Sequence, residues 1–357
     1  MCYFDNASSS RRSKYFCDEY KRVFGKARDL ETTVKLFRRA EKRIAKLFGI
    51  TKSDELYVTF LPNATYAINE IAYSLTPNQS LIEPEKIQKQ IYLSDAEHAS
   101  NHLIWLKLAE KPIEYLPLKD FQNWKLPDTP SIFSFSLLSN LEGIEVNPWD
   151  VDRKFKEQNH ICIVDASQYM QHEIPSLKNS SIDYFFFTAH KFFGPNGIGV
   201  ICSKLPTDIG INQYNCEQKL KTYLLDLDAL EAWIKCLNVI EELFISGFIS
   251  REVERLHKYF VENFPKKNEY VELVNPESKY CIFLIRVKDP NISCHDYCHY
   301  LEKFGIITRS GNCCSWLSQE RYDVNKIFRV SLSAFNLVEE IDRFFYAINN
   351  FSPSLCL

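Results

Sequence analysis

The sequence predicts an α/β protein, built as a three-layer sandwich around a mostly parallel sheet, with a smaller α+β domain toward the C-terminus. Between residues 55 and 203, short apolar runs alternate with polar or helical stretches, and several runs are apolar almost throughout, as is typical of strands covered by helices on both faces. Beyond residue 204, longer helical patterns mix with fewer strand candidates. We expect residues 20–220 to form the large domain, and residues 1–19 with 221–357 to form the small one.

The strand candidates of the large domain follow one another along the chain. Their β-branched and aromatic residues favour extended structure, and helix-length connections separate most of them. Ligands of such sheets lie beyond the carboxyl ends of the strands, so polar residues that directly follow a strand are candidates for a site. The strand candidates are Leu56–Phe60, Ile91–Ser94, Ile113–Leu116, Ile132–Phe135, Ile161–Val164, Tyr184–Phe187 and Gly199–Cys202.

Helices are predicted where apolar residues recur at three- and four-residue spacing. One such pattern covers residues 31–48 and stops at Gly49. In the C-terminal part, the predicted order is helix, helix, strand, helix, strand and helix. These elements are predicted at residues 228–248, 251–264, 281–287, 293–304, 328–332 and 338–351.

Composition limits the classes of function. The chain has 357 residues, of which 45% are hydrophobic and 25% charged, and this is typical of a globular protein. The net charge of −3 gives no basic field for a nucleic acid, and no apolar run approaches the roughly 20 residues of a membrane span. The N-terminus lacks the pattern of a secretory signal, and the 12 cysteines show no disulfide framework. We therefore expect a cytoplasmic protein that binds neither nucleic acid nor membrane.

Two polar clusters follow neighbouring strand candidates. Asp165-Ala-Ser-Gln168 comes directly after one strand, and Thr188-Ala-His190-Lys191 comes directly after another. A lysine at the end of a buried strand is costly unless it is exposed, paired or covalently used. Chemistry with pyridoxal 5′-phosphate (PLP) uses such a lysine as a Schiff base and needs a carboxylate against the pyridine nitrogen. The two clusters predict a PLP site with Lys191 and Asp165 in these roles.

Further motifs accompany the two clusters in a fixed order. They are Tyr3-Phe-Asp-Asn-Ala-Ser8, Asn63-Ala-Thr65, Glu97-His98-Ala-Ser-Asn101, Ser139-Asn140-Leu-Glu-Gly143, Arg309-Ser-Gly-Asn-Cys-Cys314 and Phe328-Arg329-Val-Ser-Leu-Ser-Ala-Phe-Asn336. Together they resemble the class V aminotransferase family of fold-type I PLP-dependent enzymes, and most closely its group II cysteine desulfurases. The resemblance covers nearly the whole chain. It implies the PLP transferase fold type I, a PLP cofactor, an amino-acid substrate and a homodimer.

The resemblance implies which residues hold the phosphate of PLP. Ala64 and Thr65 are expected to bind it at a helix N-terminus, where the helix dipole favours an anion. Thr188 and His190 are expected to complete the phosphate cup. Thr222 is expected to contact the phosphate that belongs to the other subunit of a dimer.

The resemblance also implies contacts to the ring and the substrate. His98 would stack on the pyridine ring and help to move protons, and Asn140 and Gln168 would bond the phenolic oxygen or the substrate. Arg329 would bind the substrate carboxylate with its planar guanidinium. The alternatives are that His98 is an ordinary loop histidine, Asn140 only a turn residue, and Arg329 part of a surface salt bridge.

The presence of a cysteine at one position indicates which reaction of the family the resemblance implies. Cys314 aligns with the persulfide-forming residue of the desulfurases, and Cys313 stands beside it. Lys191 would remove the Cα proton of cysteine, and Cys314 would then attack the sulfur and leave alanine, with a sulfur-acceptor protein as a possible partner. Departures from the family pattern, in Pro206–Lys221 and at Asn63 and Tyr66, suggest an altered pocket that takes a different or larger substrate.

Three alternatives remain open at this stage. A PLP-dependent C–S lyase or another β-eliminating enzyme would need Lys191 but not Cys314, and the same is true of an aminotransferase on a specialised amino acid. The third is a protein of another class, a catalytically inactive PLP-fold scaffold or sulfur carrier, against which the intact Lys191, Asp165 and Arg329 argue. The run Cys294-His295-Asp-Tyr-Cys298-His299 could be interpreted as a metal-binding motif. However, Ser293 and Asp296 predict the start of a helix, and Cys294 and Cys298 would lie on its apolar face. No metal site is therefore predicted.

Overall fold

The computed structural model describes residues 1–51, 56–79, 83–205 and 225–355. Within these ranges, the strands are β1 (Cys2–Tyr3), β2 (Tyr57–Leu61), β3 (Ile91–Ser94), β4 (Glu114–Leu116), β5 (Ile132–Ser136), β6 (Ile161–Asp165), β7 (Tyr184–Thr188), β8 (Gly199–Ser203), β9 (Val271–Leu273), β10 (Ile282–Val287), β11 (Ile306–Ile307), β12 (Arg309–Ser310) and β13 (Ile327–Ser331). The helices are α1 (Lys14–Val23), α2 (Leu30–Leu47), α3 (Ala64–Ser74), α4 (Ala99–Leu108), α5 (Pro148–Phe155), α6 (Leu227–Ile245), α7 (Phe248–Asn263), α8 (Cys294–Lys303) and α9 (Val338–Asn349).

The larger sheet has the strand order β2-β8-β7-β6-β5-β3-β4. From β7 to β4 every pairing is parallel, whereas β8 runs antiparallel to both of its neighbours. The prediction of a mostly parallel sheet is therefore confirmed. The reversal at β8 follows from the connection that precedes it, which is too short to return the chain to the other end of the sheet.

The two faces of this sheet belong to two separate apolar cores. Along β7, Phe185 and Phe187 pack into one core, while Tyr184 and Phe186 pack into the other. All five residues of β7 are buried. Because successive side chains of a strand point to opposite faces, a strand between two cores must be apolar almost throughout.

A second sheet is antiparallel and has the order β12-β13-β10-β9, and β1 pairs in parallel with β11. Helix α1 crosses the predicted division between residues 19 and 20, and the predicted division after residue 220 lies outside the described residues. The domain bounds therefore stay a prediction. Among the described residues, no helix combines the length and the apolar character that crossing a membrane requires.

Helix α8 contains the cysteine and histidine run that resembled a metal motif. The Ser293 hydroxyl accepts the N–H of Asp296 at 3.1 Å, and the Asp296 carboxylate accepts the N–H of Ser293 at 3.3 Å, which completes a capping box. Cys294, Cys298 and Leu301 are buried. The predicted helix start and apolar stripe are confirmed.

Candidate active site

The carboxyl ends of the parallel strands open onto a cavity of about 560 Å³, a volume within the usual range for small-molecule sites. Residues from the N-terminal segment, the large sheet and the β12–β13 region line it together. Thr222 lies outside the described residues. The other predicted site residues all line the cavity: Ala64, Thr65, His98, Asn140, Asp165, Gln168, Thr188, His190, Lys191, Cys314 and Arg329.

One wall of the cavity is the N-terminus of α3, which begins at Ala64. Asn63 caps this helix, because its side-chain oxygen accepts the N–H of Tyr66 at 3.0 Å. The Asn63 backbone lies against Gly199 so closely that a Cβ on Gly199 would be 2.5 Å from the Asn63 carbonyl carbon. Only glycine fits there. Because Gly199 has no side chain, the N-terminus of α3 can lie close to the edge of the sheet, where its free N–H groups can bind an anion.

Lys191 ends the short 3₁₀ turn that follows β7. The backbone of this turn is fixed from the N-terminal segment, since the His190 carbonyl accepts the N–H and the hydroxyl of Ser10, both at 2.9 Å. Burial lowers the pKa of the Lys191 amine, and the nearby carboxylate of Asp165 opposes this effect. A lysine with a lowered pKa holds more of its free base, which is the nucleophilic form.

Asp165 ends β6, the neighbour of β7, and is buried. Its Oδ1 accepts the N–H of Ser167 at 2.8 Å. Burial raises the pKa of the Asp165 carboxyl, whereas the bond from Ser167 and the charge of Lys191 lower it. A cationic ring nitrogen placed against this carboxylate would relieve the cost of burying it.

Several buried polar atoms of the cavity have no hydrogen-bond partner among the described residues. They are both amide atoms of Gln168, the hydroxyl oxygen of Ser167 and Nδ1 of His190. Buried polar groups in proteins are nearly always hydrogen-bonded, because an unpaired one costs about 1 to 3 kcal/mol. The cavity is thus suited to a ligand with several polar atoms, and the predicted PLP residues fit such a group.

His98 caps α4 through its side chain, since Nδ1 accepts the N–H of Ser100 at 3.2 Å. Burial, together with the positive charges of Lys191 and Arg329, lowers the pKa of His98 to about 4. The ring is therefore neutral near pH 7. A neutral, half-buried imidazole on the cavity wall suits stacking against an aromatic ligand.

Glu97 was not predicted as a site residue, although it precedes His98 in the same motif. Its carboxylate is buried and accepts the N–H and the hydroxyl of Ser136, both at 2.8 Å, and the side-chain amide of Asn101 at 2.6 Å. The hydroxyl of Ser94 also donates to it. Burial raises the pKa of Glu97 to about 7. Since Ser136 pairs with Asp165 in the sheet and both line the cavity, Glu97 fixes the position of a cavity-lining residue.

Arg329 lies in β13 with only 2% of its surface exposed, so it does not form a surface salt bridge. Its Nη2 donates to Asp5 at 2.6 Å and to the Ser8 hydroxyl at 2.8 Å, and its Nη1 donates to the Asn140 carbonyl at 2.8 Å. Nε is buried without a partner among the described residues. The sequence did not reveal the pairing with Asp5, because the pair is 324 residues apart.

Cys313 and Cys314 lie in a loop that reaches over the cavity. The side-chain amide of Asn140 donates to the Cys313 carbonyl at 2.7 Å, so Asn140 is more than a turn residue. The N–H of Ala99 donates to the Cys314 carbonyl, also at 2.7 Å. The loop is thereby tied both to the Ser-Asn turn and to the His98 segment, and Cys314 is exposed at the cavity.

The structure is similar to solved cysteine desulfurases. For the one from Thermococcus onnurineus NA1, the TM-score is 0.79 at 21% identity, with 97% of this chain and 93% of the other covered. For the cysteine desulfurase CsdA from Escherichia coli, in its S-sulfonic acid form, the TM-score is 0.78 at 16% identity, with the same coverage of 97% and 93%. At such identities the likeness shows the fold alone, and it confirms the predicted fold type.

The chain is also similar in sequence to cysteine desulfurases. A probable cysteine desulfurase of Borreliella burgdorferi is 26% identical, with 96% of this chain and 90% of the relative covered. A cysteine desulfurase of Pectobacterium carotovorum is 23% identical, with 96% and 91% covered. The aminotransferase class-V family matches residues 2–208 and 230–344, which include every predicted site residue except Thr222. The predicted family is confirmed, and the chain belongs to the aminotransferase class-V enzymes.

Proposed function

We propose that the protein is a PLP-dependent cysteine desulfurase, which transfers the sulfur of cysteine to Cys314 as a persulfide and releases alanine. One observation carries the proposal: the exposed Cys314 lines the same cavity as Lys191 and Asp165. A PLP enzyme that eliminates or transaminates needs the last two residues only. A thiol at the same cavity, in a loop fixed by hydrogen bonds to the carbonyls of Cys313 and Cys314, favours sulfur transfer.

The residues present fit PLP. The phosphate would lie at the N-terminus of α3, against Ala64 and Thr65, with Thr188 and His190 on its other side. Asp165 would face the pyridine nitrogen. The unpaired amide of Gln168 supports its assignment to a polar atom of the cofactor or the substrate. When bound, PLP supplies an electron sink that stabilises a carbanion at the substrate Cα.

Each catalytic step has a residue of this chain to carry it out. Lys191, whose lowered pKa favours the free amine, would take the Cα proton of cysteine. Arg329 would hold the substrate carboxylate, and the neutral ring of His98 would stack on the cofactor and hand on protons. The Cys314 thiolate would attack the substrate sulfur and form a new S–S bond as the C–S bond breaks.

Two partners belong to the proposal. A second copy of the chain would form a homodimer and bring Thr222 to the phosphate of the neighbouring site. A sulfur-acceptor protein would remove the sulfur from Cys314. The cytoplasmic location stays a prediction from cysteine usage.

A product assay tests the proposal. The protein is loaded with PLP and given cysteine, and alanine and protein-bound persulfide are measured for the wild type, Lys191→Ala, Cys314→Ser and Cys17→Ser, the last replacing an exposed cysteine of α1 as a control. We expect equal alanine and persulfide from the wild type and Cys17→Ser, and neither from the other two. Pyruvate or a keto product that survives Cys314→Ser would overturn the proposal in favour of a lyase or an aminotransferase. Absence of any product with PLP bound would favour a scaffold.

A further inference from the structure

A second thiol, that of Cys313, accompanies Cys314 at the cavity. Cys313 lines the cavity and is partly buried, and its side chain also packs against an apolar cluster of Leu141, Leu284 and Ile327. Cys314, in contrast, is exposed. The two neighbouring thiols therefore differ in environment, because one faces solvent and the other backs onto an apolar core.

The backbone at both cysteines is strained. Cys313 has φ of 50° and Cys314 has φ of 62°, in the left-handed region that costs a residue with a side chain about 1 to 3 kcal/mol. Within the described part of the chain, they are the only consecutive non-glycine residues with positive φ. The hydrogen bonds from Asn140 and Ala99 to their carbonyls hold this conformation. Such strain persists where the surroundings impose it and is concentrated at functional sites.

We propose that Cys313 takes the outer sulfur of the Cys314 persulfide, so that the enzyme carries sulfur on two adjacent residues. This inference rests on the proposed function. The Cys313 thiol loses its proton and attacks the outer sulfur. A bond forms between that sulfur and the Cys313 Sγ as its bond to the Cys314 Sγ breaks, and Cys314 leaves as a thiolate that can react again. One S–S bond replaces another, so no oxidant or reductant is needed.

Standard covalent geometry permits this transfer and disfavours a disulfide between the two cysteines. A sulfur passing between two Sγ atoms requires them about two S–S bonds apart, or roughly 4 Å. Adjacent Cα atoms are about 3.8 Å apart, and side chains on them can reach that separation. An unstrained disulfide has its Cα atoms about 4.4 to 6.8 Å apart, so a direct bond between neighbours is strained.

The environment of Cys313 determines what the transfer achieves. Burial raises the pKa of the Cys313 thiol, and the positive charges of Arg329 and Arg309 lower it in part. The transfer should therefore become faster as pH rises, because the thiolate is the attacking form. Sulfur held on Cys313 is shielded by the apolar cluster, whereas sulfur on Cys314 faces solvent and an incoming acceptor.

The amount of alanine formed in a single burst tests the inference. The PLP-loaded enzyme is mixed with cysteine without any other acceptor or reductant, and alanine per active site is measured at the end of the burst, before the slower transfer of sulfur to free cysteine adds to it. We expect about two equivalents from the wild type, one from Cys313→Ser and none from Cys314→Ser, because one cysteine stores one sulfur. Cys17→Ser should match the wild type. Mass analysis of the peptide with residues 313 and 314 should show one added sulfur on each.

Other outcomes separate this inference from the proposed function. A burst of one equivalent from both the wild type and Cys313→Ser overturns the relay and leaves the desulfurase intact. A wild-type peptide that has lost two hydrogens, or two sulfurs stacked on Cys314, also overturns it. No alanine from the wild type means that the proposed function has failed. Cys313→Ala, checked for cofactor absorption, replaces Cys313→Ser if the serine variant does not fold.

Discussion

The guanidinium of Arg329 donates to Oδ1 of Asp5 at 2.6 Å in the interior of the candidate site. Arg309 also approaches this carboxylate, with its Nε 3.3 Å from Oδ2 of Asp5. A carboxylate of the protein therefore already neutralises the arginine that is proposed to bind the carboxylate of the substrate. The two carboxylates would compete for the same positive charge, and this competition can be measured.

We expect Asp5→Asn to bind the substrate carboxylate more tightly. The amide oxygen can still accept from Arg329, while the competing charge is lost, and a gain of about tenfold in affinity corresponds to roughly 1.4 kcal/mol. The dissociation constant of alanine, followed by the absorption of the bound cofactor, measures the effect, with exposed Asp128→Asn as the control. Unchanged or weaker binding in Asp5→Asn would mean that Asp5 orients Arg329 rather than competing for it.

Gly199→Ala should weaken PLP binding. The new Cβ would lie 2.5 Å from the Asn63 carbonyl carbon, so the N-terminus of α3 must move, and with it the proposed phosphate site. We expect a loss of at least tenfold in cofactor affinity, measured by titration of the cofactor-free protein. Gly197→Ala is the matched control, since its φ of 81° adds strain but no atom lies within 4 Å of the new Cβ. Equal losses in both variants would contradict the argument.

Asn140→Ala should loosen the cysteine loop. It removes the 2.7 Å bond to the Cys313 carbonyl, so Cys314 spends less time over the cavity. We expect faster amide hydrogen exchange at residues 311–315 and persulfide formation that is slower by roughly tenfold, about 1.4 kcal/mol of lost positioning. Exposed Asn291→Ala should change neither. Unchanged exchange in Asn140→Ala would show that the bond from Ala99 holds the loop by itself.

Glu97 should make the folded protein less stable as pH rises. Its pKa is about 7 in the fold and near 4.3 when unfolded, so the folded state binds more protons between these values. The free energy of unfolding therefore falls from about pH 4.5 to 7, by up to roughly 3 kcal/mol. Glu97→Gln removes this slope, whereas exposed Glu110→Gln should keep it.

Chemical unfolding of the cofactor-free proteins at pH 5 and pH 8 measures this difference. We expect Glu97→Gln to gain stability relative to the wild type at the higher pH. A constant difference between the two proteins at both pH values would show that Glu97 does not titrate in this range.

The sequence predicted the strands of the larger sheet well, because their signals are local. The strand predicted at Ile91–Ser94 has those bounds, and Tyr184–Phe187 ends one residue later, at Thr188. The short strands β9, β11 and β12 have two or three residues each, too few for a periodic pattern. Their pairing depends on partners far along the chain, which no local window contains.

The candidate site followed the same rule. Asp165 and Lys191 were recognisable because each lies at the carboxyl end of a buried strand, where the fold places ligands. The roles of Asp5 and Glu97 were missed, although both lie in motifs that were singled out. Asp5 contributes to the site through Arg329, which is 324 residues away, and Glu97 is linked to the site through Ser136, which is 39 residues away. The antiparallel direction of β8 could have been inferred from its short connection to β7.

Because β7 lies between two cores, packing of the protein interior also determines the orientation of the Lys191 amine. Shifting this strand by one residue would exchange Phe186 with Phe187 between unlike surroundings and turn Lys191 away from Asp165 at the same time. Both apolar cores must therefore pack with β7 in a single register before the site can be catalytically active. A core substitution that removes a methylene from either layer, well away from the cavity, can therefore give a protein that folds but has Lys191 in the wrong orientation.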